Sequence, residues 1–178
     1  LNLESFYGFS SEAVFAVRHC RFFSNVGHQI VSVRAAQMDV VNNQLTNNTL
    51  QGGGASALLV TWKNEGDSRV ALNNNTIAAN VGGAGVVVST DTRESARISE
   101  FAGNILWGNG STDLVFVQPN LVGSPAPLIN NNVYGSVSGA TMPAGNTSGN
   151  PQFVNAGAGN YALAAGSPAI NSGPSLQL

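Results

Sequence analysis

Five stretches of the chain fit one template: an apolar residue, asparagine (once cysteine) three places on, an apolar residue two further, then asparagine after three more. They are Val17/Cys20/Phe22/Asn25, Val40/Asn43/Leu45/Asn48, Leu72/Asn75/Ile77/Asn80, Phe101/Asn104/Leu106/Asn109 and Ile129/Asn132/Tyr134, the last without its fourth member. The residues in the second place lie 23, 32, 29 and 28 positions apart. Repeats of roughly 20–50 residues mark architectures in which no unit buries its apolar face alone and stacking supplies the core. A chain so patterned is expected to be an all-β, right-handed, single-stranded parallel β-helix (a solenoid) of about five coils.

Each unit carries two further apolar runs. One spans residues 30–33, 58–61, 86–89 and 114–117, and the other spans 36–41, 69–72, 96–101 and 127–129. They are short, β-branched and bounded by glycine, asparagine or serine, as buried parallel strands are. Like matches like at a distance of one repeat, so equivalent strands should pair one coil apart. Asn43, Asn75, Asn104 and Asn132 then stack at one turn. Their amides can donate to one neighbour and accept from the other, forming a structural ladder that also satisfies turn backbone. Cys20 stands on the same rung and should end that ladder.

Composition bounds the rest. Of 178 residues, 7 are Lys or Arg and 9 are Asp or Glu, so the formal charge is −2. No basic cluster is available to displace counterions from a polyanion, which argues against nucleic acid as a partner. The chain has 22 asparagines and 21 glycines. Both residue types tolerate the left-handed backbone that tight turns between short strands require. No apolar run approaches the roughly 18 residues of a membrane-spanning helix. Cys20 is the single cysteine, which leaves neither a disulfide framework nor a zinc cluster. No cofactor or metal is expected.

The C-terminal stretch is the most specific motif. Gly149, Asn150, Pro151, Gln152, Phe153, Val154 and Asn155 are followed by Gly159, Asn160, Tyr161, Ala162 and Leu163, and then by residues 166–173, GSPAINSG. This resembles the tail of bacterial right-handed parallel β-helix proteins known as the choice-of-anchor Q domain, tightly over 149–173 and loosely over the whole chain. The resemblance implies an exported or surface-displayed bacterial protein. Where that family usually carries aspartate, this chain has Asn150, Asn155, Asn160 and Asn171, which removes the charge a calcium site would need. Coils are expected over 1–135 and a last coil with a capping tail over 136–178, in one domain. Phe153, Tyr161, Leu163 and Ile170 read as plugs for the open end of the column. At the other end Leu1, Leu3, Phe6, Tyr7 and Phe9 start abruptly, so that edge is expected to meet upstream sequence or another chain.

Catalytic chemistry finds little to use. Glycoside hydrolysis needs two carboxyl groups roughly 5–10 Å apart, yet none of the nine acids recurs at one rung of adjacent coils. Charge gathers after the second strand of each coil. Aligning the runs places Arg34, Trp62, Thr90 and Gln118 in one file, with Lys63 beside Asp91, and Arg93 nearby. An aromatic face with cationic donors suits a polysaccharide, although loop charge also serves solubility alone. The expected function is a non-catalytic binding or adhesion module for polysaccharide on an exported protein. The alternatives are the C-terminal part of a polysaccharide lyase or glycoside hydrolase with its catalytic residues upstream, or a purely structural stalk.

Overall fold

The computed structural model of the chain describes residues 1–4, 14–35, 37–62, 69–90, 100–117, 128–130 and 132–172. Three sheets, parallel throughout, account for most of them. The first contains Asn2–Glu4, Gln29–Ala35, Ser56–Trp62, Ala84–Thr90, Leu114–Phe116 and Val137–Ser138, in that spatial order. The second contains Val14–Arg18, Gln37–Val41, Arg69–Asn73, Glu100–Ala102 and Leu128–Asn130. In the third lie Arg21–Phe23, Gln44–Thr46, Thr76–Ala78, Ile105–Trp107, Val133–Tyr134 and Thr147–Ser148. The chain therefore visits the three sheets in rotation. On each circuit it lays every strand beside its own equivalent, about 4.8 Å from it. All-β structure with pairing at one repeat was expected from the sequence, and it is what the described residues form.

The inward file of each sheet explains the pairing. In the first sheet Val33, Val60, Val88 and Phe116 stack in register, as do Val31, Leu58, Val86 and Leu114. All eight are buried. Met38, Val40, Val70, Leu72 and Phe101 face them from the second sheet, and Leu45, Ile77 and Leu106 from the third. Phe101 and Phe116 meet across the column with ring centroids 6.5 Å apart. Side chains in a strand alternate between faces, so a slip of one residue would turn this entire apolar set outward. Register is fixed by that penalty.

The turns follow one backbone rule. The residue before each ladder position has positive φ: His19, Ser24, Asn42, Asn47, Asn74, Ala79, Gly103 and Gly108 all lie between 54° and 67°. Asparagine and glycine enter this region readily, which accounts for the doubled asparagines at 42–43, 47–48 and 74–75. Ala79, with φ 54°, breaks the preference. Replacing it by glycine relieves the Cβ clash at some cost in unfolded-chain entropy. Ala79→Gly should therefore raise stability by about 0.5–1 kcal/mol, read as a higher urea midpoint at unchanged slope. An unchanged or lower midpoint would contradict the rule.

The ends of the column differ from expectation. Phe15 and Phe22 pack against the core in the first circuit, while Tyr134, Val137, Ala140 and Met142 do so in the last two. The tail is not the plug. Its hairpin, Phe153–Asn155 against Asn160–Leu163, is antiparallel. The Tyr161 hydroxyl donates to Asn47 Oδ1 at 2.8 Å, 114 residues away in the second circuit. The tail thus folds back along the flank of the third sheet, and Ile170 is 44% exposed. A phenol needs a polar partner when buried, and the turn at Asn47 supplies one that the apolar column end does not.

Candidate functional site

Two asparagine ladders run along the third sheet, one at each of its corners. In the first, each residue donates both its backbone N–H and its Nδ2 to the Oδ1 of the next: Asn43 to Asn75, Asn75 to Asn104, Asn104 to Asn132 and Asn132 to Asn146. The second Nδ2 hydrogen reaches back to a main-chain carbonyl of the previous circuit, namely Val17, Val40, Leu72 and Phe101 in turn. Every amide from Asn43 to Asn132 therefore uses both donors, and its oxygen accepts from the rung before. Cys20 begins the row by donating its backbone N–H to Asn43 Oδ1.

The second ladder repeats this geometry through Asn25, Asn48, Asn80 and Asn109, and ends on Asp113. The fourth place of the repeat already carried it, but only the first ladder was anticipated from the sequence. Asp113 is 4% exposed. Its Oδ1 accepts from Asn109 N and Nδ2, and its Oδ2 accepts from Ser136 N and Oγ. The carboxylate can take four donors where an amide oxygen takes two, so it closes the row. Asp39, also buried, pairs with Arg18. Both carboxylates are thus engaged by neighbours of the fold itself.

Of the site residues read from the sequence, Lys63, Asp91, Arg93 and Gln118 lie outside the described residues. Trp62 ends its strand in the register file of Ala35 and Thr90. Arg34 is exposed but sits one file over, paired with Glu4 and Thr61. The expected single file of Arg34, Trp62 and Thr90 is corrected by one residue, and one residue exchanges the two sheet faces. The cause is local. Ile30 and Val31 are both buried, so the apolar run carries no parity from which to set the alignment.

The outer face of the first sheet is the open one. Ser32, Leu59, Thr61, Val87, Ser89 and Val115 are half-buried there, and Arg34 is exposed. By contrast Asp39, Ala71, Asn73 and Ala102 on the outer side of the second sheet, and Thr46 and Ala78 on that of the third, are buried. Outward residues form two files on the open face. One is apolar, with Leu59, Val87 and Val115 in register; the other is polar, with Arg34, Thr61 and Ser89. Thr61 Oγ1 and Ser89 Oγ are 3.2 Å apart and share a hydrogen bond. Beside the apolar file runs a groove of about 530 Å³, walled by glycines 52–54, 82 and 83 and floored by Val87, Val115 and Val117. A Cβ on Gly82 would collide with the Leu50 carbonyl, and one on Gly83 with that of Ala55. The wall is therefore bare backbone because stacked turns leave no room for side chains.

Tyr161 ties the tail to this scaffold. Its ring meets Phe153 edge-on at 5.0 Å, and burial pushes the phenol above its ordinary range against the opposing pull of Asn47 and Arg21. A raised folded-state value means the docked tail favours the protonated phenol. That contribution is complete below pH 10 and is lost as pH climbs through the raised value. Near-UV circular dichroism from the aromatic pair should collapse reversibly in that range. Tyr161→Phe should loosen the tail by about 1 kcal/mol and abolish the alkaline step; a step that persists in Tyr161→Phe belongs to another group.

Comparison with protein-family models, curated proteins and solved structures finds no match to this chain. Among the described residues no helix is long and apolar enough to cross a membrane.

Proposed function

We propose that the chain is a right-handed parallel β-helix segment of an exported or cell-surface bacterial protein, and that it acts as a non-catalytic module binding an extended polysaccharide. Crossover connections between parallel strands of one sheet are right-handed in about 98% of cases, which supports the handedness. The observation that carries the binding reading is the uncovered outer face of the first sheet. It presents an apolar file and a hydroxyl-and-guanidinium file side by side, repeated about every 4.8 Å. A linear polymer lying along the axis meets the same pair of surfaces at each rung: one for the hydrophobic face of a sugar ring, one for its hydroxyls. The engagement of Asp39 and Asp113 within the scaffold favours binding over hydrolysis.

Affinity gel electrophoresis against neutral and acidic polysaccharides, run beside assays for new reducing and unsaturated ends, tests this. Retention without turnover is expected, reduced at least several-fold by Arg34→Ala and by Trp62→Ala. Turnover, or retention that neither substitution changes, would overturn the reading.

A further inference from the structure

The two ladders begin differently on the first-circuit edge of the third sheet. Cys20 heads the first ladder with a thiol that donates to its own strand, at Arg18 O, 3.2 Å away. It offers no amide oxygen to a further rung. Asn25 heads the second. Its N–H and Nδ2 donate to Asn48. Its Oδ1, which in every lower rung accepts from two donors, has no partner among the described residues, and Asn25 is exposed. Val26, beside it, is 65% exposed. The neighbour that pairs with Val26, Thr49, donates its N–H to the Asn25 carbonyl of the preceding circuit. By the same repeat, the Val26 N–H points to the uncovered side. A groove of about 330 Å³ opens here between Leu1, Phe22, Asn25, Val26, Gln29 and Ile30.

The lower rungs state what fits such an edge. Each ladder amide receives a backbone N–H and a side-chain NH₂ from one asparagine. It returns its own second N–H to the carbonyl three residues before that asparagine: Val17 before Cys20, Phe22 before Asn25, Leu45 before Asn48, Ile77 before Asn80. An apolar residue occupies each of those carbonyl positions. The edge is a template with one acceptor, one donor and an apolar hollow at fixed spacing.

We infer that the first-circuit edge of the third sheet is a strand-docking site for an extended polypeptide segment bearing an apolar-x-x-asparagine motif, added parallel as a further rung. Added strands bind through main-chain hydrogen bonds and take specificity from side-chain positions. Here the specificity lies over Asn25 and not over Cys20.

The probe is a synthetic peptide copying residues 37–50, which carries asparagine at both ladder places, titrated into the isotope-labelled full chain under reducing conditions. Saturable amide shifts confined to residues 20–27 are expected. Alanine at the peptide position equivalent to Asn48 should weaken binding about five- to tenfold. Alanine at the position equivalent to Asn43 should change it by less than about twofold, because Cys20 provides no acceptor to lose. Val26→Lys in the protein, a charge on an exposed edge, should abolish binding without altering the rest of the spectrum. No binding, equal loss from both alanine peptides, or shifts at the last circuit instead would each overturn the proposal.

Discussion

Asn75→Ala is expected to lower stability by about 3–6 kcal/mol, the largest effect of any single asparagine change in this chain. Asn75 is 1% exposed and sits mid-ladder. Removing its amide strands the backbone N–H and Nδ2 of Asn43, takes one of two donors from Asn104 Oδ1, and leaves the Val40 carbonyl unmet. Each buried group without a partner costs about 1–3 kcal/mol, and within a chain of mutually polarising bonds the losses do not stay local. Asn150→Ala is the matched control. That side chain is exposed and accepts only from Gln152 N, two residues on, so its loss should stay within about 0.5 kcal/mol. Urea denaturation of the two variants decides the matter. Equal midpoints would mean that the ladder contributes no more than ordinary turn asparagines. Stacked repeats can unfold in parts, so hydrogen exchange at Asn43 and Asn104 should accompany the global curve, with protection falling first at those rungs.

Asp113→Ala should cost about 2–4 kcal/mol, from the other end of the second ladder. It orphans Asn109 N and Nδ2, which are buried, and releases Ser136, which is exposed and can turn to water. Asp113→Asn separates the two halves of that role. One amide oxygen can keep both Asn109 bonds, while the NH₂ then faces the Ser136 N–H, a donor opposite a donor. The asparagine variant should therefore lose about 1–2 kcal/mol and keep native exchange protection at Asn109. The alanine variant should lose that protection. If both variants unfold at the wild-type midpoint, the carboxylate is not what closes the row.

What the sequence revealed and what it hid divide along physical lines. The third-sheet strands and the first ladder were legible because each repeat keeps the interval between asparagine and apolar positions, and identical turns stack identically. The second ladder was written in the same repeat, at Asn25, Asn48, Asn80 and Asn109, but its terminus was not. Asp113 lies four residues after Asn109 and belongs to no repeat position, so only the folded turn brings it under the amide. Register in the first sheet slipped by one at Arg34, where adjacent buried Ile30 and Val31 remove the alternation that normally reports strand faces. The tail was misjudged for a different reason. Its aromatic and aliphatic residues read as a plug, while its actual anchor, Asn47, is 114 residues away and is one of two similar turn asparagines in that circuit. The candidate binding face was only half visible. Arg34 and Trp62 lie on the first-sheet strands, but the apolar file of Leu59, Val87 and Val115 emerged only from the pairing, because a valine run does not say which valines face out.

Hydrogen-bond scalar couplings measured by NMR in solution test the stacked-circuit arrangement most directly. Correlations should connect the backbone N–H of Asn43 to the side-chain carbonyl carbon of Asn75, that of Asn75 to Asn104, and that of Asn104 to Asn132, with the matching series from Asn25 through Asn48 and Asn80 to Asn109. Couplings that instead link these N–H groups to carbonyls of the next strand in sequence, as hairpins would, contradict the account.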